Sequence, residues 1–295
     1  MKKRSESFYI MLISIEAILM GVGNPVAKFG ISLFPFFEYM AMRFLLGFLF
    51  LVILFHKKLI AGFRGAHIRS CVWISIFTTA SYVTGTLAFK YTTATTAGFL
   101  FSLPVVFTPF LMWFVSKKRM NKKHIIPIVL VIIGLYFLCC GEGSFRFGLG
   151  EGLAMGSALL MACTLEFSAK HLEKADSIFL ATFQAGFVGI VCLIIGLVSK
   201  EQFPALTSVP MEAWGAVLYL GIGCTGIAYG LQNSALCGIN STKAALVLCA
   251  EPVFTAVASY FMLGEVLSVT GWVGAVIIMV SIVLASVRTE EKCGG

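Results

Sequence analysis

The sequence predicts an all-α polytopic membrane protein, with ten transmembrane helices arranged as two inverted five-helix repeats. Three observations predict this fold: an apolar composition, ten apolar runs of membrane-spanning length, and a motif that recurs in the second half of the chain. Of the 295 residues, 59% are hydrophobic and 12% are charged, with a mean hydropathy of +0.94. Soluble domains carry about 25% charged residues. A soluble core could not bury this much apolar surface, so a bilayer must surround most of the chain.

The ten apolar runs define the predicted helices, which we number 1 to 10 in chain order. A helix needs about 20 mostly apolar residues to cross a bilayer. The runs lie at 8–27, 36–55, 71–89, 95–115, 125–140, 150–169, 178–198, 214–231, 244–263 and 266–287. The first run follows three basic residues, as in a signal peptide, but no small-residue cleavage site comes after it. We therefore expect helix 1 to remain in the protein.

The basic residues predict how the helices are oriented. If ten helices alternate in direction, 17 of the 22 Lys and Arg residues lie on the side of the N-terminus and four lie on the other side. Membrane proteins concentrate Lys and Arg in their cytoplasmic loops. A miscount by one helix would move every later loop across the membrane and remove this bias. We therefore expect both termini to be cytoplasmic, and the same clusters explain the net charge of +8 without a nucleic-acid partner.

A repeated motif indicates that the two halves of the chain are related. Thr-Thr-Ala-Thr-Thr-Ala at 92–97 opens helix 4, and Asn-Ser-Thr-Lys-Ala-Ala at 240–245 opens helix 9, 148 residues later. The predicted repeats are residues 1–145 and 146–295. Because each repeat has an odd number of helices, the second repeat must be inverted relative to the first.

The charges at matched positions are consistent with this inversion. The same offset places Pro104 opposite Pro252, and the basic loop at 117–119 opposite the acidic Glu265. Equivalent loops of inverted repeats face opposite sides, so a basic loop inside is matched by an acidic residue outside. Inverted repeats of this kind are typical of transporters that work by alternating access.

Polar side chains inside the predicted helices are the candidate functional groups. An ionisable residue at the centre of a transmembrane helix costs about 2.5–3.5 kcal/mol, so each one needs a reason. The candidates for binding a solute or a proton are Glu251, Glu16, Arg43, Gln184, Tyr82, Tyr229 and Asn233. Gln184 falls in helix 7 about where Arg43 falls in helix 2. No catalytic or cofactor-binding residue is predicted, and the nine cysteines follow no metal-ligand spacing.

Glu251 is the first candidate because it precedes Pro252, which frees a backbone carbonyl about one turn earlier. A local break of this kind can expose polar backbone to a cavity. The alternative is a carboxylate that caps a neighbouring helix or forms a structural pair. Pro25, Pro104 and Pro252 are predicted as helix breaks or hinges, with an ordinary proline kink as the alternative.

The remaining charged residues in or near the helices have simpler interpretations. Glu16 and Arg43 form either an ion pair within the bundle or separate contacts with the two ends of a zwitterion. Glu166 is expected near the membrane surface, paired with Lys170 one turn later. Lys28 and Lys170 hold equivalent positions at the ends of helices 1 and 6, where their amines are expected to extend to water.

Three motifs carry a resemblance to a known family: Ala250-Glu251-Pro252-Val253-Phe254, Leu263-Gly264-Glu265 and Gly271-Trp272-Val273-Gly274. With the duplicated ten-helix layout, the chain resembles the drug/metabolite transporter superfamily, specifically the EamA-type transporter family. The first half departs from the pattern, with Leu103-Pro104 in place of Glu-Pro and Lys117-Lys118 in place of Gly-Glu. The resemblance implies a bacterial inner-membrane permease for amino acids, other metabolites or drugs. It also implies a central cavity between helices 1–4 and 6–9, with helices 5 and 10 at the periphery.

Other function classes are disfavoured by the residues that the chain lacks. There is no Gly-x-x-x-x-Gly-Lys-Ser/Thr motif and therefore no ATPase site of this type. Asp176 is the only Asp, which excludes an aspartyl-protease dyad. The histidines, His56, His67, His124 and His171, all fall in loops or at helix ends. An intramembrane enzyme is therefore disfavoured, and the scattered polar residues disfavour a channel.

The sequence thus predicts a secondary transporter that exports amino acids or related small metabolites by alternating access, with multidrug efflux as the alternative. The expected partners are a small organic solute and the lipid bilayer. Protonation of Glu251 or Glu16 would couple transport to a proton gradient. A homodimer is compatible with the sequence.

Overall fold

The structure is a computed structural model that describes residues 5–63, 68–116, 125–141, 144–145, 148–172, 176–201, 209–266 and 268–290. The basic loop predicted at 117–119 lies outside the described residues. So do His67, His124 and residue 146, at which the second predicted repeat begins.

Ten helical segments follow one another along the described residues. They are helix 1 (Glu6–Ile31), helix 2 (Phe36–Phe63), helix 3 (Ile68–Ala88), helix 4 (Ala94–Leu100 and Pro104–Ser116), helix 5 (Ile125–Cys139), helix 6 (Leu149–His171), helix 7 (Ser177–Val198), helix 8 (Met211–Leu236), helix 9 (Ser241–Leu248 and Glu251–Leu263) and helix 10 (Val269–Glu290). Eight of them, all except helices 5 and 10, contain a stretch long and apolar enough to cross a membrane. Two short antiparallel strands, Cys140–Gly141 and Ser144–Phe145, connect helices 5 and 6 and depart from a purely helical chain.

The contacts between helix ends agree with ten alternating passes. We call the side on which helix 1 begins the N-terminal face, and the other side the opposite face. At the N-terminal face, Lys243 at the start of helix 9 pairs with Glu6 at the start of helix 1. At the opposite face, Glu201 beyond helix 7 accepts a hydrogen bond of 2.9 Å from the backbone N–H of Phe37 in helix 2. Each pair joins ends that ten passes place on the same side.

The two halves pack through contacts that a twofold exchange preserves. Helices 2 and 7 cross closely, since a Cβ atom at Gly186 would lie 2.8 Å from the ring of Phe48, and one at Gly189 would lie 2.8 Å from Cγ of Leu45. Adding 141 carries Phe48 to Gly189 and Leu45 to Gly186, so the two contacts exchange with each other. Helices 5 and 10 also pack on each other. The predicted fold of two inverted five-helix repeats is confirmed.

Helices 4 and 9 are each interrupted once, at equivalent places within the predicted runs 95–115 and 244–263. Helix 4 is interrupted at 101–103, just before Pro104, and helix 9 at 249–250, just before Glu251 and Pro252. Proline has no N–H and its ring clashes with the preceding turn, so it fits best near the start of a helical segment. Whether these breaks act as hinges stays a prediction. Helix 8 also departs from a regular α-helix, because Tyr219–Ala228 is π-helical.

Candidate functional site

A polar cavity of about 80 Å³, measured as the space open to the centres of water molecules, lies between the two halves. Of the residues predicted from the sequence, Glu16, Arg43, Tyr82, Glu251 and Pro104 line it. Its other lining residues come from the first segment of helix 9 and from the middle and opposite-face parts of helices 1, 3, 4 and 6. The cavity therefore extends from the middle of the bundle toward the opposite face.

Two contacts join the ends of helices 1 and 9 at the N-terminal face. A Cβ atom at Gly238, just before helix 9, would lie 2.0 Å from the ring of Tyr9 in helix 1, so only glycine allows this approach. The ion pair of Lys243 with Glu6 lies at the same ends. Together these contacts hold the starts of helices 1 and 9 against each other at the N-terminal face.

Glu251 is held where helices 1 and 9 cross. The side-chain amide of Asn24 donates to Glu251 Oε1 at 2.8 Å and to the Thr255 hydroxyl at 3.0 Å. The helices approach closely here, because a Cβ atom at Gly21 would lie 2.6 Å from Cβ of Phe254. The break before Glu251 places the carboxylate at the start of a helical segment, where the helix dipole favours a negative charge. Glu251 is thus positioned by a fixed donor and faces the cavity.

Arg43 places a positive charge in the same cavity. Its Nε donates to the Thr225 hydroxyl of helix 8 at 3.3 Å. Its guanidinium lies 5.1 Å from the ring centre of Phe44 and 5.3 Å from that of Tyr82, within range of cation–π attraction. Among the described residues, no carboxylate forms an ion pair with Arg43. The predicted ion pair with Glu16 is therefore not present, and the guanidinium retains unused donors.

Glu16 is a buried carboxyl group with an unused oxygen. The residue is 1% exposed, and its Oε2 has no hydrogen-bond partner in the described part of the chain. A buried charge without a partner is costly in hydrocarbon, so this group is expected to hold a proton or to meet a cation.

Three further predicted residues lie outside the cavity lining. Asn233 donates to Gln184 Oε1 at 2.9 Å and to the carbonyl of Tyr229 at 3.2 Å. Gln184 in turn donates to the Thr78 hydroxyl at 2.9 Å. The ring of Tyr229 lies 5.7 Å from that of Tyr82. These residues form a buried network that touches the cavity only through the two tyrosines, and their role in transport stays a prediction.

The predicted prolines occupy different environments. Pro25 is buried inside helix 1, next to Asn24. Pro104 lines the cavity at the break in helix 4. Pro252 is buried in the second segment of helix 9, behind Glu251.

Lys28 forms an ion pair at the end of helix 1 that the sequence did not predict, and its side chain is 28% exposed. Its amine donates to Glu265 Oε1 at 3.0 Å and to the carbonyl of Thr92 at 3.1 Å. Glu265 also accepts from the backbone N–H groups of Ala94 at 3.0 Å and Thr95 at 2.9 Å, at the start of helix 4. An anion at a helix N-terminus satisfies donors that have no partner within the helix. This arrangement, which we call the opposite-face tie, joins helices 1 and 4 to the residue after helix 9.

The pKa of Glu265 reflects these contacts. Partial burial acts to raise the pKa of its carboxyl group, but hydrogen bonds from Thr95, Lys28 and Ala94 outweigh burial and hold the pKa below its ordinary value. Glu265 is therefore charged at neutral pH and binds Lys28 as an ion pair.

Glu166 is not a surface residue either. It is 3% exposed, and one of its carboxylate oxygens accepts a hydrogen bond from the Ser241 hydroxyl of helix 9. The predicted surface pair with Lys170 is wrong because the start of helix 9 covers this part of helix 6. Thr225 and Thr255 were not predicted, because their only signal was a polar type within an apolar run.

Metal binding has no candidate among the described residues. No three His, Cys, Asp or Glu side chains come together there in a group that could hold a metal ion. A second cavity is lined by Phe48, Val52, Leu59, Ile60, Phe179, Thr182 and Phe183. The hydroxyl of Thr182 is the one polar side-chain group in this lining. That hydroxyl bonds to its own helix at Ile178. This second cavity offers nothing to orient a polar solute.

The sequence matches the model of a known protein family. The EamA-like transporter family matches residues 7–140 and 148–287, one stretch in each half of the chain. The chain belongs to the EamA-like transporter family. Membership of the EamA family was the resemblance found in the sequence, and it is confirmed.

The EamA relatives are themselves named as transporters. An uncharacterized transporter of Archaeoglobus fulgidus is 26% identical over 276 residues, which cover 94% of this chain and 85% of the relative. The uncharacterized transporter YvbV of Bacillus subtilis is 25% identical over 303 residues, which cover 99% of this chain and 96% of the relative. A crystal structure with 17% sequence identity superposes with a TM-score of 0.77 over 97% of this chain and 99% of that chain, which shows the same fold. This EamA protein is therefore a multi-pass membrane transporter.

Proposed function

We propose that the protein is a secondary transporter of amino acids or related small zwitterions, working by alternating access. One observation carries this proposal: Arg43 and the carboxyl groups of Glu16 and Glu251 face one cavity, and Arg43 is not ion-paired with either. A zwitterion supplies the missing partners, because its carboxylate can bind the guanidinium and its ammonium can bind a carboxylate. Unpaired charged side chains inside a membrane protein cost free energy. Their presence therefore indicates a functional role, such as binding a charged solute.

The size of the cavity supports a small solute. The cavity leaves about 80 Å³ open to the centres of water molecules, so it has room for more than one water and for a small solute. This volume suits a solute with a handful of non-hydrogen atoms. Multidrug efflux remains the second candidate, because two carboxyl groups and the rings of Tyr82, Phe89 and Phe101 line the cavity and would suit an organic cation.

The orientation and coupling complete the proposal. The bias of Lys and Arg supports a cytoplasmic N-terminal face in a bacterial inner membrane, with both termini inside. The solute would leave through the opposite face, and exchange of a proton at Glu16 for the solute's ammonium would couple export to the proton gradient. One chain builds the whole cavity, so the proposed site does not depend on a homodimer.

The test is flux in proteoliposomes. Purified protein is reconstituted, a pH gradient is imposed, and uptake and efflux are measured for a panel of amino acids, nucleosides and cationic drugs. We expect flux of at least one amino acid. Replacing Arg43 with Gln should lower that flux about 10- to 100-fold, the loss expected when a charge-assisted bond to the solute carboxylate is removed.

The variants separate the two candidate functions. Arg43→Lys keeps the charge and should retain part of the amino-acid flux, and Glu38→Gln, a buried carboxyl group outside the cavity lining, should transport normally. Efflux of a cationic drug that needs Glu251 but not Arg43 would favour multidrug transport. A Glu251→Gln protein with wild-type rate and pH dependence would remove Glu251 from the mechanism, and the same result for Glu16→Gln would remove Glu16.

A further inference from the structure

The two halves contain matching polar contacts of different charge. Arg43 of helix 2, in the first half, donates to Thr225 of helix 8, in the second half. Conversely, Gln184 of helix 7, in the second half, donates to Thr78 of helix 3, in the first half. An offset of 141 relates Arg43 to Gln184, the same offset that exchanges the contacts between helices 2 and 7. An offset of 147 relates Thr78 to Thr225, so one twofold operation carries one hydrogen bond onto the other.

The same operation relates cavity-lining residues to buried ones. The offset of 147 carries Tyr82 to Tyr229, and the rings of these two residues are in contact. It also carries Gly85 and Thr86, which line the cavity, to Gln232 and Asn233. A cavity open to the N-terminal face, formed when the two halves exchange conformations, would therefore be lined by Gln232 and Asn233.

These two amides have unused acceptors in the present conformation. Gln232 is 3% exposed and Asn233 is 2% exposed, and neither Gln232 Oε1 nor Asn233 Oδ1 has a hydrogen-bond partner in the described part of the chain. An unpaired buried carbonyl oxygen is unfavourable, so it normally has a partner in another state or with a ligand. Two such oxygens on adjacent residues point to a group with several donors.

We propose that Gln184, Gln232 and Asn233 form a second binding site for the solute, which opens to the N-terminal face. The free amide oxygens accept hydrogen bonds from the solute's ammonium, and the amide of Gln184 donates to its carboxylate in the place that Arg43 takes in the first site. An offset of 142, which relates Lys28 to Lys170, also relates Asn24 to Glu166. Glu166 therefore places a carboxylate toward the N-terminal face, the side to which the second site opens. Because Gln184 is neutral, the second site holds a carboxylate less tightly than the first.

This inference rests on the proposed alternating access, and labelling tests it separately from flux. Asn233→Cys and Gln232→Cys proteins, in vesicles of each orientation, are treated with a membrane-impermeant maleimide. The wild type, with its nine cysteines, gives the background. Thr86→Cys, the twofold counterpart of Asn233→Cys, reports the present cavity. Ser75→Cys, fully buried in helix 3 and outside both sites, is the matched control.

The expected result is labelling of Asn233→Cys and Gln232→Cys from the N-terminal face only, and of Thr86→Cys from the opposite face, with Ser75→Cys at background. If both amide variants insert in the membrane but stay unlabelled from the N-terminal face while Thr86→Cys reacts, the second site is wrong, whatever the flux shows. Labelling as expected without amino-acid flux would retain the second site and overturn the proposed solute. Reaction of Ser75→Cys at the same rate would show general penetration of the reagent and overturn the assignment.

Discussion

Helices 4 and 9 begin at equivalent places in the two halves, but their first turns are held by different chemistry. At helix 4, the Thr93 hydroxyl accepts from the N–H of Thr96, and Glu265 from the other half accepts from two further backbone N–H groups. At helix 9, Asn240 accepts from the N–H of Lys243, whose amine pairs with Glu6. The start of helix 4 thus contacts an anion of the other repeat, Glu265, whereas the start of helix 9 contains a cation, Lys243.

The difference shows that the repeats share a backbone but not an electrostatic pattern. The position matching Glu265 in the first half is the basic loop at 117–119, so no acid of the first half occupies the position equivalent to Glu265. The opposite-face tie therefore links the halves through a charged group with several hydrogen bonds. The start of helix 9 is linked to the first half by the ion pair of Lys243 with Glu6, and to helix 6 of its own half by Ser241 with Glu166. The opposite face should be the more sensitive of the two to a change of charge.

Reversing the charge at Glu265 should have the largest effect. Glu265→Lys removes the ion pair with Lys28, leaves two N–H groups of helix 4 without their acceptor, and places a cation at a helix N-terminus. We expect a loss of about 3 kcal/mol in unfolding free energy. Chemical unfolding in detergent, followed by tryptophan fluorescence, measures it. Glu212→Lys, an exposed acid in the first turn of helix 8, is the control, and an equal loss in both variants would contradict the tie.

Removing the Ser241 hydroxyl should have a smaller effect at the other start. Ser241→Ala takes a buried donor from Glu166, and we expect a loss of about 1–2 kcal/mol in the same unfolding measurement. Ser32→Ala, which removes an exposed hydroxyl, should change little. A loss for Ser241→Ala as large as that for Glu265→Lys would mean that the two starts are equally dependent on side-chain contacts.

Acid should weaken the opposite-face tie. We expect this change in unfolding free energy to be smaller than that of Glu265→Lys or Ser241→Ala. The pKa of Glu265 is lower in the folded protein than in the unfolded chain. Its contribution to stability is therefore complete above its unfolded pKa and is lost as the pH falls through the folded pKa. We expect the stability difference between wild type and Glu265→Gln to narrow below about pH 4. A difference that stays constant from pH 7 to pH 3 would show that the charge of Glu265 does not matter.

The fold was predictable from the sequence because the bilayer imposes long apolar runs and a charge bias on it. Those signals do not depend on which helices touch. The breaks before Pro104 and Pro252 were also visible, as the matched prolines of a repeated motif. The break lengths and the π-helical turns of helix 8 were not, because they depend on packing between helices.

The candidate site was predictable in its residue types but not in its grouping. Glu16, Arg43 and Glu251 stood out as charges inside apolar runs, and the structure brings them to one cavity. Gln184 and Asn233 carried the same signal, yet they bond to each other away from it. The surface pair of Glu166 was predicted wrongly and the ion pair of Lys28 was not predicted, because their partners, Ser241 and Glu265, lie more than 70 residues away in the chain.

The π-helical stretch Tyr219–Ala228 has a consequence for insertions and deletions. A π turn contains more residues than an α turn and hydrogen-bonds one residue further along the chain. Losing one residue there would let the stretch shorten toward regular α-helix and keep Gln232 and Asn233 in their present orientation. In helix 3, which is α-helical throughout, the same loss would rotate everything beyond it by about 100°. Of the twofold-related helices 3 and 8, helix 8 is thus the one in which the chain can lose a residue without changing which side chains face the bundle.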